Sequence, residues 1–381
     1  MLKVSVQNLN WHQWHEFAPT WERIHELCPD ASFFLSREWV DCWLATFGAE
    51  LNPDLLVFVR ADEVVGCCLL VWRTQWVRGI PLRRVYLNCA GEDEADSTCI
   101  EYNSLLAVPD CAEDVAEALG DFLCNRSWDE LLLHGVTGGA AFCAVAGALG
   151  NSEVSTSASH YVDLSQLRKE GLDFEEVLSS NIRGQVRRSR RLYEQTLGLC
   201  SIHSALTCEE AMEILGRLSR LHQVTWQNRR RPGVFASPKF ARFHRRLIEN
   251  VFDHNRVLLL EMCAGREAVG ATYSFLFRGR IYFYQSGFQY TSDGRLKPGL
   301  LTHYLAIRHY LEQPEIKEYD FLAGDSQYQR SLATATRSLQ WIVVRRPTAP
   351  SLLFRGLRRV KRTYVETFGK GSREDQPRGR N

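Results

Sequence analysis

A chain of 381 residues, 45% of them hydrophobic and 24% charged, has the size and composition of two ordinary globular domains. Its net charge of +1 excludes a broadly polybasic surface, so nucleic acid is not the expected partner. The 12 cysteines contain no C-x-x-C pair, which leaves zinc and dithiol redox chemistry unsupported and no metal expected.

Scattered cysteines suit a reducing compartment. The first residues lack the basic start and apolar core of a signal peptide. No apolar run approaches the roughly 20 residues that cross a bilayer. A cytoplasmic location is therefore expected, with contact at the inner face of a membrane left open.

Helical spacing marks 14–27 and 37–47, with Ser36 placed to cap the second helix. Strands over 55–60 and 64–72 are joined by a hairpin turn at 61–63. Further strands are expected at 85–88, 104–108 and 130–135, and helices at 112–126 and 140–149. The small, polar stretch 150–159 reads as a connection between domains. A long arginine-rich helix over 174–196, a helix over 208–225 and one over 238–252 open the second half. Three strands follow at 257–264, 268–277 and 280–290, with turns at 265–267 and 278–279 that make an antiparallel meander. A helix over 298–312 and strands at 318–322 and 340–345 complete the pattern. The fold class is α/β, an α+β layer sandwich. The second half repeats the element order of the first.

Two stretches carry candidate chemistry. In 282–290 period-two alternation puts Tyr282, Tyr284 and Ser286 on one face, and Gly287 marks a bulge or a close backbone approach. Asp293-Gly294-Arg295-Leu296-Lys297-Pro298-Gly299 then runs into a helix beginning at Pro298. Its free first-turn amides, beside Arg295, Lys297, Gly299 and Leu300, suit a phosphate or pyrophosphate; a plain strand-to-helix turn is the alternative. In 319–328 a strand ends at Gly324, and Asp325 and Tyr328 follow as a candidate base and acid. Asp325 as a mere helix cap is the rival reading. Arg183, Arg187 and Arg191 share one helical face. Solvent is the usual partner of such a face, but an anionic acceptor would relieve the repulsion among like charges. Arg229-Arg230-Arg231, with Arg230 at its centre, is a candidate far wall, and His222 and Trp226 lie one turn apart on the preceding helix. The tail from 347 places Leu353, Leu357, Val360, Tyr364 and Phe368 at helical spacing opposite four arginines. That pattern fits a membrane interface or a helix docked on the protein itself.

Four stretches together resemble a known family: Phe34-Leu35-Ser36-Arg37-Glu38-Trp39; the arginine helix from Asn181 to Leu192; Leu221-His222 followed by Trp226; and Lys297-Pro298-Gly299-Leu300-Leu301 with Asp320 to Tyr328. In order and spacing they are similar to the CelD/FemAB-like branch of the GNAT acyltransferase superfamily. Thr225, Lys297 and Gln329 replace the arginine, serine and lysine common there. The resemblance implies two tandem GNAT-like domains with mixed, mostly antiparallel sheets: a degenerate domain over 1–159, a catalytic domain over 160–346 and the basic tail over 347–381. It implies acyl-CoA as co-substrate, held near Gly287, Arg295, Lys297, Gly299 and Leu300, with Asp325, Tyr328 and Tyr284 as catalytic candidates. Arg183, Arg187, His222, Trp226 and Arg230 would receive a small-molecule, nucleotide-linked or lipid-linked sugar acceptor. The implied activity is N-acylation of an amino sugar or related precursor in exopolysaccharide or cell-envelope biosynthesis. Alternatives are an aminoacyl-tRNA-dependent peptidyltransferase and a non-catalytic nucleotide-binding effector.

Overall fold

The computed structural model describes residues 3–137 and 140–354. The first half runs β1 (Ser5–Asn10), α1 (Trp14–Leu27), α2 (Arg37–Trp43), the short α3 (Ala49–Leu51), β2 (Asp54–Arg60), β3 (Glu63–Val77), β4 (Ile80–Leu87), β5 (Leu106–Ala107), α4 (Ala112–Cys124), β6 (Glu130–Val136), α5 (Ala140–Leu149) and β7 (Asn151–Asp163). The second runs α6 (Leu164–Glu170), α7 (Phe174–Val177), α8 (Ser180–Thr196), β8 (Cys200–Ser204), α9 (Cys208–Asn228), α10 (Pro238–Val251), β9 (Val257–Ala264), β10 (Glu267–Phe277), β11 (Arg280–Phe288), α11 (Pro298–Leu311), β12 (Glu318–Ala323), α12 (Gln327–Leu332) and β13 (Ala335–Arg345).

All of the strands join one 13-stranded mixed sheet in the order β1-β2-β3-β4-β6-β13-β7-β12-β11-β10-β9-β8, with β5 beside β3. Pairing is antiparallel except at β4–β6 and β11–β12. The order is palindromic in element type. Each half lays down a meander, then a helix, then a strand parallel to the last meander strand. At the centre the last strands are exchanged: β7 pairs with β12, and β13 pairs with both β7 and β6. The expected boundary at 159/160 therefore falls inside β7.

Strand alternation divides the core. Leu55 and Val57 face a cluster in which α1 and α2 pack with α9 and α10, drawing Trp21, Phe34 and Trp39 against Phe243, Phe275 and Tyr284. Leu56 and Phe58 face a second cluster beneath α4. A third lies under α8 and α11. Cross-half polar contacts add to this continuity. Arg256 pairs with Glu38 at 2.9 Å, and Arg278 donates to the carbonyls of Cys28 and Glu26 at 2.9 and 2.7 Å.

Several local expectations hold, and the exceptions have physical causes. Ser36 caps α2 by accepting from the Trp39 amide. The stretch 150–159 is strand rather than connection; its first residues are exposed and polar, so no apolar alternation advertises it, and an unbroken register with β13 from Asn151 to Tyr161 supplies the pairing. β1 and β8, both sheet edges, are short and mostly polar, with no apolar run to mark them as strands. The expected helix over 174–196 is two helices. Asp173 caps α7 with a capping box, Leu178 and Ser179 are extended, and the Ser179 hydroxyl caps α8. The tail from 355 onward lies outside the described residues; Phe354 just before it packs on Ile80 and Leu82.

Candidate active site

β11 and β12 pair for only three positions, Arg280–Tyr282 against Glu318–Asp320, and then part. Each strand carries an irregularity at the opening. On β11 the register with β10 slips between Tyr273 and Ser274, leaving Tyr284 as the extra residue. On β12 the pairing with β7 slips between Asp320 and Ala323, and Leu322 takes φ 61°. A positive φ is costly for leucine. Here it turns the Leu322 N–H onto Asp320 Oδ1 at 2.8 Å and releases the Ala323 N–H to donate to Glu101 Oε2 at 2.7 Å.

A cavity of about 980 Å³ lies on the side of the opening where α11 begins. Asn181, Gly184, Gln185 and Arg188 line it from α8, the turn 290–297 forms a wall, and Gly299, Leu300 and His303 contribute from α11. Arg188, Arg295 and Lys297 supply positive charge, and no acidic side chain is among the lining residues that the structure describes. Arg295 is clamped by Asp293 at 2.7 Å, and that hydrogen-bonded guanidinium holds the Asp293 carboxyl down to about 2. Pro298 occupies the first turn of α11, where a missing N–H costs nothing. His303 lies fully buried beneath, with Nδ1 3.0 Å from the Tyr319 hydroxyl. Burial pushes it down to about 3, so the ring is neutral. Its Nε2 has no partner among the described residues.

A second cavity of about 390 Å³ shares Phe288, Tyr290 and Tyr328 with the first. Its floor is Tyr284, Gln285 and Ser286, one wall is Phe321–Ala323, and α9 supplies His222, Thr225 and Trp226, with Arg229 at its C-terminal cap. Glu101 and Cys99 enter it from the first half. Tyr328 stands between the cavities with its ring stacked on His303 at 5.0 Å, and burial pushes its hydroxyl up to about 12.

The strands β11 and β12 splay apart beside a cationic helix start, and comparisons with known proteins bear on what this arrangement is. Residues 180–330 match the sequence profile of the acetyltransferase (GNAT) domain. The second half carries a GNAT acyltransferase domain. The fold is shared with FemX at 9% identity and a TM-score of 0.55, covering 85% of this chain and 95% of FemX. It is also shared with a conserved protein of unknown function from Bacteroides thetaiotaomicron VPI-5482, at 9% identity and a TM-score of 0.51 over 91% of this chain and all of the other. No curated protein matches the sequence.

Within and around this GNAT domain the expected residues divide clearly. Lys297, Gly299, Leu300 and Arg295 line the larger cavity, and His222, Trp226 and Tyr284 the smaller, with Tyr328 in both. Lys297 holds the helix start in place by donating its N–H to Ser189 Oγ at 3.1 Å. Tyr284 is engaged at its hydroxyl, which donates to the Thr98 carbonyl at 2.7 Å and lies 3.1 Å from His244. Gly287 does make a close approach, but to α9: a Cβ there would sit 2.3 Å from the Leu218 carbonyl oxygen.

Three groups of expected residues lie elsewhere. Asp325 lines neither cavity. It is exposed and paired with Arg330 at 2.7 Å and His160 at 3.0 Å; the Arg330 contact, then His160, holds its carboxyl below the usual range. Nor does it cap α12, because Ser326 does so in a capping box with Gln329. Arg183 donates to the Leu178 carbonyl and Arg187 pairs with Glu175, both away from the cavity. The buried positions Ile182, Val186, Ser189 and Tyr193 fix the rotation of α8, and the face turned to the cavity is 181, 184, 185 and 188. Arg230 sits past the end of α9, while Arg229 reaches the smaller cavity over the Trp226 ring.

The residues missed from sequence are therefore Arg188, Gln285 and Glu101, while of the expected run 229–231 it is Arg229 that lines the smaller cavity. Arg188 was legible from the i, i+3, i+4 spacing of the apolar residues of α8; Glu101 had no local signal. In the first half the comparable parting of β4 and β6 is filled by the chain's own loop. Asn103 accepts from Asn88 Nδ2 at 2.7 Å on its side-chain oxygen, donates its backbone N–H to the Gly135 carbonyl at 3.0 Å, and donates its side-chain amide to the Leu87 carbonyl at 3.2 Å.

Proposed function

We propose that the protein is an acyl-CoA-dependent N-acyltransferase whose acceptor is an amino sugar or related precursor of cell-envelope polysaccharide, carried on a nucleotide or lipid. The parting of β11 and β12 beside a cavity lined by Arg188, Arg295 and Lys297 is the observation that carries this reading. Arg188, Lys297 and the free amides of α11 suit a pyrophosphate. The unpartnered His303 Nε2 offers a hydrogen-bonding atom at depth. A thioester lying along the opening would meet the acceptor where the cavities join at Tyr328, whose proton is available to the departing thiolate.

The smaller cavity fits a hexose. Trp226 gives an apolar face, Gln285 and Ser286 give amide and hydroxyl groups for ring hydroxyls, and Arg229 above the indole suits a phosphate. The basic amphipathic pattern of the tail fits an acceptor held at a membrane; flotation with anionic vesicles, weakening as salt rises, tests that element.

Calorimetric titration with acetyl-CoA, followed by acetyl transfer to nucleotide-linked amino sugars, tests the central reading. Saturable binding lost in a Lys297→Ala, Arg188→Ala double variant is expected. Absence of any coenzyme A binding would overturn it.

A further inference from the structure

Glu101 stands on a segment of the first half, 222 residues away in sequence from the Ala323 amide that it accepts. The segment is held against the parting strands at several points. Tyr284 donates to the Thr98 carbonyl, Tyr102 donates to Asp320, and the Asn103 N–H donates to the Gly135 carbonyl. Cys99 and Tyr102 both take φ 49°, so left-handed backbone brackets the glutamate. Such conformations persist where surrounding contacts fix them, and they collect at active sites. β6 closes the rear: a Cβ on Gly135 would lie 2.8 Å from the Glu101 backbone. One Glu101 oxygen is occupied by the Ala323 amide, and the residue lines the smaller cavity beside Tyr284 and Ala323.

We propose that Glu101 is the general base of acyl transfer, a catalytic group that the first half supplies to the second. This rests on the acyltransferase reading above and adds the residue that it lacks. Glu101 takes a proton from the acceptor amine as its nitrogen bonds to the thioester carbonyl carbon. The carbon–sulfur bond then breaks, and the thiolate leaving with the electron pair takes a proton from Tyr328 or water. The products are an amide and free coenzyme A.

Burial pushes the Glu101 carboxyl up to about 8, with Asp320 adding to the rise and the Ala323 N–H opposing it. The other titratable groups facing the cavity are Cys99 on its own loop, His222 on α9, Arg229 at the C-terminal cap of that helix, Tyr284 on β11, Tyr290 just past β11 and Tyr328 on α12. On β6, burial and Arg84 push His134 down to about 4. A carboxylate with a raised proton affinity is a stronger base than an exposed one, and its charged, active form grows as pH rises.

The test uses full-length protein, acetyl-CoA and hydroxylamine, a small amine uncharged above neutral pH, with free thiol as the readout from about pH 7 to about pH 10. Thiol release by the wild type should rise through an apparent pKa near 8. Glu101→Gln should lower the rate roughly 100- to 10,000-fold and flatten the profile, with acetyl-CoA affinity kept. Glu101→Asp, which retains a carboxylate, should keep the rise with pH at a reduced rate, and it decides the matter if the glutamine variant does not fold. Equal rates in wild type and the folded Glu101→Gln variant would overturn the assignment. Failure of both proteins to bind acetyl-CoA would instead overturn the acyltransferase reading on which it stands.

Discussion

Tyr328 and Asp325 stand three residues apart and have opposite surroundings, one between two cavities and one paired at the surface. Tyr328→Phe keeps the stacking on His303 and deletes the hydroxyl. Turnover should fall at least tenfold with acetyl-CoA affinity nearly constant, whereas Asp325→Asn should leave turnover within a few-fold; steady-state kinetics with matched calorimetry separates the two. A stability measurement bears on Glu101. Its carboxyl is raised from 4.5 to about 8 in the fold, so as pH climbs through that interval the unfolded chain has already lost the proton that the folded chain still binds. Stability therefore declines across that interval and levels off above it. Glu101→Gln removes the decline, and its thermal midpoint should gain on wild type between about pH 5 and about pH 9. Residues near a turn signal, such as Lys297, Gly299 and Tyr328, were legible in the sequence because glycine, proline and strand ends mark where the chain can present groups. Glu101 was not, because its role depends on a contact across 222 positions that no periodicity encodes.

The helices that frame the site turn on face and approach. Arg187 and Arg188 are neighbours in sequence, but about 100° of helical rotation sends one to Glu175 and the other to the cavity. Arg188→Ala should weaken acetyl-CoA binding and reduce its salt dependence, while Arg187→Ala changes neither; equal effects would mean that the cofactor lies along a different face. At the start of α11, a Cβ on Gly299 would come within 3.2 Å of the Phe288 ring. Gly299→Val should displace that ring into the shared passage between the cavities and weaken binding at least tenfold, about 1.4 kcal/mol. Most elements could be read from caps and apolar spacing: α1, α9, α10 and α11 begin where expected. Element-scale reading fails where polar strands are stabilised by backbone pairing alone, as in β7, and where two adjacent extended residues, Leu178 and Ser179, interrupt an otherwise continuous helical pattern.

At the scale of the molecule the exchanged central strands matter most. Repetition of element order was visible in the sequence, but the exchange was not, since strand order depends on long-range pairing rather than on local pattern. β12 takes its outer partner from β7, and β6 takes its own from β13. Cutting the chain at 159/160 would divide β7 and strip a sheet partner from each half. An exposed, unpaired strand edge is an aggregation hazard, and the fragment from 160 would also lose the segment 98–103 that closes the smaller cavity. Separately produced fragments 1–159 and 160–346 should therefore aggregate or remain loosely ordered, whereas co-production should recover a soluble complex that binds acetyl-CoA. The intact chain should unfold in one calorimetric transition, because the core containing Trp39, Phe243 and Tyr284 belongs to both halves. Two separable transitions, or an isolated 160–346 fragment that binds acetyl-CoA with wild-type affinity, would mean that the halves are independent units and that the continuous sheet is not needed to build the site.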